Sequence, residues 1–379
     1  MMMRVNSMVG GSWGVQVQRG LVDEVTDVER SGAGAFLSSS PKGAYTVTRS
    51  NNDGSTIFLW RRHMQRLVQS MMLLAEAMPS KFPEPPASIS TLEHLIFPSL
   101  QAGLCRALEL RKPAEEISIS ILAYRNEEFE SCSKKKLDCE WEIGVHLSRY
   151  LPRPLSTAVD TAIMGPSREL PLAKFSLWVD TRQFLEKSKP LSVSEIILSD
   201  DGDLLLEGSV TNFFVVAESR ACNSRERSHH RKQQEGIEVA DSKDCNYDER
   251  RDSRNQWEGI EVQTAALKDG VLPGVIRQLV IEVCRLEGIP ILEVAPSWES
   301  RHTWREAFVT SSLRLVQPVA LIQRPIAWDL TRSSDAWKTC EWTCHSLDTS
   351  LGSVTRRIQS LVIEKATQEN LQIDDILSL

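Results

Sequence analysis

The chain lacks the features that would tie it to nucleic acid, a membrane or an oxidising compartment. Its 44 basic side chains are outnumbered by 51 acidic ones, a formal charge of −7, and no basic face or polybasic tail stands out. That argues against a phosphate backbone or a lipid surface as partner. No apolar run approaches the roughly 20 residues of a membrane-spanning helix. The eight cysteines, at positions 105, 132, 139, 222, 245, 284, 340 and 344, form no CxxC pair. Cys340, Cys344 and His345 have no second ligand pair at metal-site spacing, so unlinked thiols in a reducing compartment are expected. The first twenty residues hold Arg4 and Arg19 and no acid, but they lack the Ser and Arg density of a transit peptide. Asp23, Glu24, Asp27 and Glu29 follow directly, and a cytoplasmic location is the expectation.

What is present suits a folded globular protein. Charged residues make up 25% and hydrophobic residues 41% of 379 positions, enough chain for two domains sharing a cleft. Residues 1–40 show no sustained period and are expected to be poorly ordered. Ala44–Ser50 and Ser55–Trp60 read as a hairpin around Asn51-Asn52-Asp53-Gly54. Arg61–Met78 carries one apolar face (Met64, Leu67, Val68, Met71, Leu74, Ala75, Met78) and Pro79 stops it. A second helix spans Leu92–Leu110, with an interruption expected at Pro98. Ile117–Ala123 alternates as a half-buried strand and pairs with Cys139–Leu147 across the turn at Lys134–Lys136. These elements make a small α/β domain over 41–153, closed by Pro152 and Pro154, and 154–379 form a larger α/β domain.

Inside the larger domain the chain turns polar at about 218–257. Cys222-Asn223 through Glu235-Gly236-Ile237-Glu238-Val239 recurs 23 positions later as Cys245-Asn246 through Glu258-Gly259-Ile260-Glu261-Val262. Two copies without an apolar face do not make a solenoid, so a disordered surface insertion is expected. Structure resumes with a strand near Ile260, then Gly270–Arg277 opens a helix that buries Leu279, Val280, Val283 and Leu286 and ends at Gly288. Strands at Pro290–Val294, Ala307–Thr310 and Val316–Ile322 follow, then a last helix, Ser353–Ala366, with Ser353 as its N-cap.

Five stretches could carry chemistry. Glu207, in E-G-S-V-T-N-F-F-V-V after the turn Ser199–Asp203, is a carboxylate at the mouth of a sheet, able to hold one cation. An acid on a hairpin rim is the plain alternative. Lys174, between apolar neighbours in P-L-A-K-F-S-L-W, would be a nucleophilic amine if buried, or a lysine snorkelling from a strand edge. Arg66, in H-M-Q-R-L, offers a fork for phosphate or is one charge on a solvated helix face. Leu272-Pro273-Gly274-Val275-Ile276-Arg277 opens a helix, whose N–H groups favour an anion, though every helix has such an end. Phe308–Ser312 ends a strand in three hydroxyl residues, which also suit a turn.

Taken together and in this order, the segments from about Gly43 to Val319 resemble the class IV aminotransferases, pyridoxal-phosphate enzymes of fold type IV. The resemblance implies a small and a large α/β domain with the cofactor in the cleft and a homodimer as the assembly. It implies Lys174 as the Schiff-base lysine and proton carrier, and Glu207 on the pyridine nitrogen. Arg66, the backbone of Val275 and Ile276, and the Ser312 hydroxyl would hold the phosphate, with Tyr45 (in G-A-Y-T-V-T-R) beside the substrate. Two positions depart from the family: Ile276 stands where Thr is common, and Val179 stands where many members have a tyrosine on the cofactor phenolate. The implied reaction exchanges an amino group between an amino acid and a 2-oxo acid. An aminodeoxychorismate-lyase-like elimination of pyruvate and a non-catalytic family member are the alternatives. Arg49, Arg125 and Arg168 are equal candidates for the substrate carboxylate.

Overall fold

The computed structural model describes residues 13–18, 21–25, 32–125, 141–219, 257–329, 333–349 and 352–379. The Lys134–Lys136 turn and nearly all of the polar insertion lie outside the described residues. Among the described residues the elements form two sheets with helices packed against them. The first group comprises β1 (Gly14–Gln18), β2 (Leu21–Val25), α1 (Ala33–Ser39), β3 (Gly43–Asn51), β4 (Thr56–Ile57), α2 (Trp60–Ala77), α3 (Ile89–Leu110), β5 (Glu116–Arg125) and β6 (Trp141–Tyr150). The second comprises β7 (Val159–Ile163), α4 (Leu177–Thr181), α5 (Gln183–Ser188), β8 (Glu195–Ile197), β9 (Asn212–Glu218), β10 (Ile260–Thr264), α6 (Val275–Leu286), β11 (Ile291–Glu293), β12 (Trp304–Ser311) and β13 (Leu315–Pro325). Then come α7 (Ser334–Thr339), β14 (Trp342–Ser346), α8 (Ser353–Thr367), β15 (Leu371–Gln372) and α9 (Ile373–Leu377).

The first sheet has the order β15-β4-β3-β5-β6-β1-β2. Asn52, Asp53 and Gly54 all take positive φ in the hairpin turn, as an Asn-Asp-Gly run permits. Ile117, Ile119, Ile121 and Ala123 of β5 pack against Met64, Leu67 and Met71 of α2 in one core. The expectation of a half-buried strand is corrected here. The opposite face of β5 is buried too, because Leu122 and Tyr124 pack with Phe36 and Leu37 of α1, Tyr45 and Val179. The N-terminal segment also differs from expectation: Gly14–Gln18 pairs antiparallel with Gly144–Ser148 and buries Val15 and Val17. Those two valines at strand spacing are the signal a longer-window reading passes over. α3 runs unbroken through Pro98. Pro98 and His94 are both exposed, so the carbonyl that loses its partner can face water.

The second sheet has the order β11-β10-β9-β12-β13-β7-β8, with β14 also paired to β13. Its central strand β9 splits its side chains between two cores. Phe214 and Val216 face α6 and α8, while Phe213 and Val215 face Trp298 and Trp304. α8 is not capped by Ser353. Gly352 occupies the cap position, and the Glu306 carboxylate of β12 accepts from the N–H groups of Val354 (3.2 Å) and Thr355 (2.8 Å). A side chain remote in sequence does the work a local serine was expected to do. The chain end returns to the first sheet: β15 pairs with β4, and Ile373 and Ile376 join its core. Arg62 of α2 ties the two layers by reaching Glu282 of α6 (2.7 Å) and Glu369 (2.5 Å). No helix among the described residues is long and apolar enough to cross a membrane.

Candidate active site

Lys174 lies in a short turn, not in a strand, and that turn is clipped to the start of β3. Tyr45 N–H donates to the Lys174 carbonyl (2.9 Å), Ser176 N–H to the Gly43 carbonyl (2.9 Å), and Gly43 N–H to Ser176 Oγ (3.0 Å). The Lys174 N–H donates to Ser70 Oγ of α2 (3.0 Å). The segment after β7 is thus pinned at three points to β3 and at one to α2. Lys174 Nζ stands 4.6 Å from the centre of the Tyr45 ring. Burial lowers the ammonium to about 8; Arg66, Arg168 and Arg182 push the same way, and Tyr45 opposes. Burial alone would raise the Tyr45 phenol, but Lys174, Arg182 and Arg168, with a hydrogen bond from Arg182, outweigh it and bring it to about 8.

The lowered amine has two consequences of known sign. Capture of a small aldehyde at Lys174, trapped by borohydride and located by peptide mass, is expected to quicken as pH rises through about 8 and then level off. A surface lysine would keep gaining to above ~10. Folding feels the same shift. The buried ammonium is penalised relative to its ordinary 10.5, so stability rises with pH between about 8 and 10.5, where the unfolded chain holds the proton and the folded one does not.

At one end of the cavity the side chains form an anion cradle. Arg66 is buried, lowered to about 10 chiefly by that burial, and donates from Nη2 to Thr46 Oγ1 (2.8 Å), while its Nε has no partner. His63 contacts Thr46 Oγ1 through Nδ1 (2.8 Å) and Ser312 Oγ through Nε2 (3.1 Å). Burial, with Arg66 and Lys174 nearby, holds His63 well below its usual range, so the ring is neutral. Thr46 Oγ1 already accepts from Arg66, which leaves its own hydrogen for Nδ1. The ring proton then sits on Nε2 and donates to Ser312, freeing the Ser312 hydroxyl to donate into the cavity. Thr310 Oγ1, buried beside it, also has no partner. The start of α6 lines the same cavity, and its cap residue Gly274 offers no side chain. A Cβ at Gly274 would collide with Asn212 Oδ1, so only glycine lets this N-terminus come so close to β9.

Glu207 precedes β9 and is held by an isolated bridge to Asn212. Its Oε2 accepts from Leu272 N–H (3.0 Å) and Asn212 Nδ2 (3.3 Å). Its Oε1 accepts from Arg168 Nε (2.8 Å) and also from Arg168 Nη2. Burial pushes the carboxyl above its ordinary range, with Arg168, the Leu272 N–H and Lys174 pulling against it. Gly208 is needed for the fold of this loop, since a Cβ there would run into Thr211 Oγ1.

Tyr45, Arg66, Lys174, Glu207, Val275, Ile276 and Ser312 all line one cavity of about 290 Å³. Of the three arginines weighed for a carboxylate, only Arg168 lines it, and it is already spent on Glu207. Arg49 is sandwiched between Phe58 (4.9 Å) and Tyr150 (5.7 Å), and Arg125 donates to the Ser80 carbonyl. Val179 is buried with Tyr45 outside the lining. Thr310, in the hydroxyl stretch already singled out, also lines the cavity, as do Arg182 and Arg314, which were not anticipated. Arg182 sits at the junction of α4 and α5, where no spacing from Lys174 would single it out. Arg314 carries no local signal.

The family model for amino-transferase class IV matches residues 43–322. Among solved structures, the fold is similar to a branched-chain aminotransferase from the thermophilic archaeon Thermoproteus uzoniensis, crystallised with norvaline. That match has 16% identity and a TM-score of 0.56, and covers 95% of this chain and 96% of that one. A hypothetical aminotransferase from Mycobacterium tuberculosis in its PLP-bound form is similar at 13% identity and a TM-score of 0.55, over 94% and 99%. The branched-chain amino acid aminotransferase from Escherichia coli follows at 16% identity and a TM-score of 0.52, over 95% of each chain. At these identities the likeness is one of fold. No curated protein matches the chain.

Proposed function

The chain belongs to the class IV aminotransferases, and on that premise we propose that it is a pyridoxal-phosphate-dependent transaminase exchanging an amino group between an amino acid and a 2-oxo acid. The observation that carries the reading is a buried lysine with a depressed pKa sharing one cavity with a buried carboxylate and an anion cradle. The residues fit the cofactor. The unpartnered Arg66 Nε and Thr310 Oγ1 are buried polar atoms that a phosphate would satisfy, together with the Ser312 hydroxyl and the uncapped N–H groups at Val275 and Ile276. Ile276 contributes through its backbone, so the absence of a threonine hydroxyl leaves that contact available.

When bound, the cofactor supplies an aldehyde for amines and a ring that withdraws electrons from the substrate α-carbon. Lys174 would hold it covalently and would be the base positioned to take the substrate α-proton and, as an acid, to hand it on, as transfer of the amino group requires. Its depressed pKa makes the neutral base accessible near physiological pH. Tyr45 stands against Lys174 and is read as the side chain that keeps the amine oriented, the family tyrosine being replaced by Val179.

Transfer is tested by mixing the cofactor-loaded protein with single L- and D-amino acids and following 2-oxo acid release. A 2-oxo acid with the skeleton of the amino acid added supports the reading. Pyruvate from aminodeoxychorismate with every amino acid untouched would make the protein a lyase. Bound cofactor that no compound turns over would make it non-catalytic.

A further inference from the structure

The Glu207 carboxylate lines the cavity, but its acceptor positions are already taken. Four donors reach it, two from Arg168 on Oε1 and one each from Leu272 and Asn212 on Oε2, which fills the roughly four acceptor positions a carboxylate has. The Arg168 and Glu207 side chains are only 8% and 2% exposed, so a further cation reaching the carboxylate has to displace a donor already on it. A protonated ring nitrogen arriving at Glu207 would meet a neutral ion pair, and no acceptor site is spare.

We infer that Arg168 is a positioning residue that competes with the cofactor's ring nitrogen for Glu207 Oε1, so that this chain binds pyridoxal phosphate more weakly than its phosphate cradle alone would permit. The inference rests on the transaminase reading above. Arg168 has somewhere to go. Its guanidinium lies 5.7 Å from the ring of Trp178, which is itself fixed by donating Nε1–H to the Ser209 carbonyl (2.7 Å). Arg168 and Trp178 line both the catalytic cavity and a second, mostly apolar one of about 350 Å³ bounded by Pro166, Phe175, Leu177 and Phe184. The guanidinium can therefore leave Glu207 and keep its contact with the indole face, provided the ring nitrogen takes over the carboxylate. Cofactor binding breaks one buried charge pair and makes another, and the first subtracts from the affinity.

The test is a titration of cofactor-free protein with pyridoxal phosphate, read by the visible absorbance of the bound cofactor, on the wild type, Arg168→Gln and Arg168→Lys. Thermal midpoints are measured on the same cofactor-free samples. Arg168→Gln is expected to lower Kd by about tenfold or more while lowering the cofactor-free midpoint, because the pair that opposes binding also stabilises the empty fold. Arg168→Lys, with a point charge in place of a fork, is expected to fall between. A purely structural role would weaken affinity and stability together, so an unchanged or raised Kd in Arg168→Gln overturns the inference. Should Arg168→Gln not fold, a Kd for Arg168→Lys at or above wild type overturns it equally. Equal visible bands with equal Kd in all three proteins sink the competition alone; no band in any of them sinks the cofactor reading itself.

Discussion

Lys174→Ala lowers the rate of amino-group transfer by about four orders of magnitude, with the thermal midpoint of the cofactor-free protein unchanged or slightly raised. The rate falls because one side chain is asked to do two jobs, holding the cofactor and moving the α-proton. Arg66, Arg168 and Arg182 offer guanidinium groups, which donate and do not accept, and His63 is spent between Thr46 and Ser312. Stability moves the other way because the native site penalises the ammonium, as its fall to about 8 shows. Alanine removes the penalised group and keeps the backbone bonds to Ser70 and Tyr45. Single-turnover kinetics and calorimetry read the two effects separately. Transfer within tenfold of wild type would mean that another amine serves, and the role given to this lysine would have to be abandoned.

Glu207→Ala is expected to cost the fold about 3–5 kcal/mol, the usual consequence of leaving one member of a buried ion pair behind. The stranded group is Arg168, almost fully buried and supported by no other charge than Glu207 among its described contacts. Leu272 N–H and one Asn212 amide contact lose their acceptor as well. Glu207→Gln keeps one acceptor oxygen but leaves the Arg168 charge uncompensated, so it should cost less than Glu207→Ala by only about 1 kcal/mol for the hydrogen bonds retained. The double change Arg168→Met with Glu207→Leu removes both charges and should recover most of the loss in urea unfolding while restoring no activity. If the single and double variants are equally unstable, the pair is not what holds this corner.

Both predictions hinge on residues whose candidacy is local and whose partners are not. The apolar frame around Lys174, the Gly after Glu207 and the Leu-Pro-Gly-Val-Ile-Arg helix start are short-range patterns, so the chain order alone singles them out. The same holds for the hairpin at Asn51–Gly54 and for α2 and α6, where period and turn chemistry act over a few residues. The N-terminal strand escaped because five residues with two buried valines are too few to show a period. It is made a strand by its partner β6, more than 120 positions away in the chain.

What the sequence by itself determined is the set of candidate side chains, the local elements that carry them and the family they resemble, because each is written within a dozen consecutive residues. Tertiary structure alone decided who meets whom. It set Glu207 against Arg168, Glu306 at the head of α8 and His63 between Thr46 and Ser312, and it buried Lys174 in a turn against β3. The physical reason is that ion pairing, desolvation and hydrogen-bond saturation depend on separation in space and on exclusion of water, neither of which exists until the two sheets have packed together.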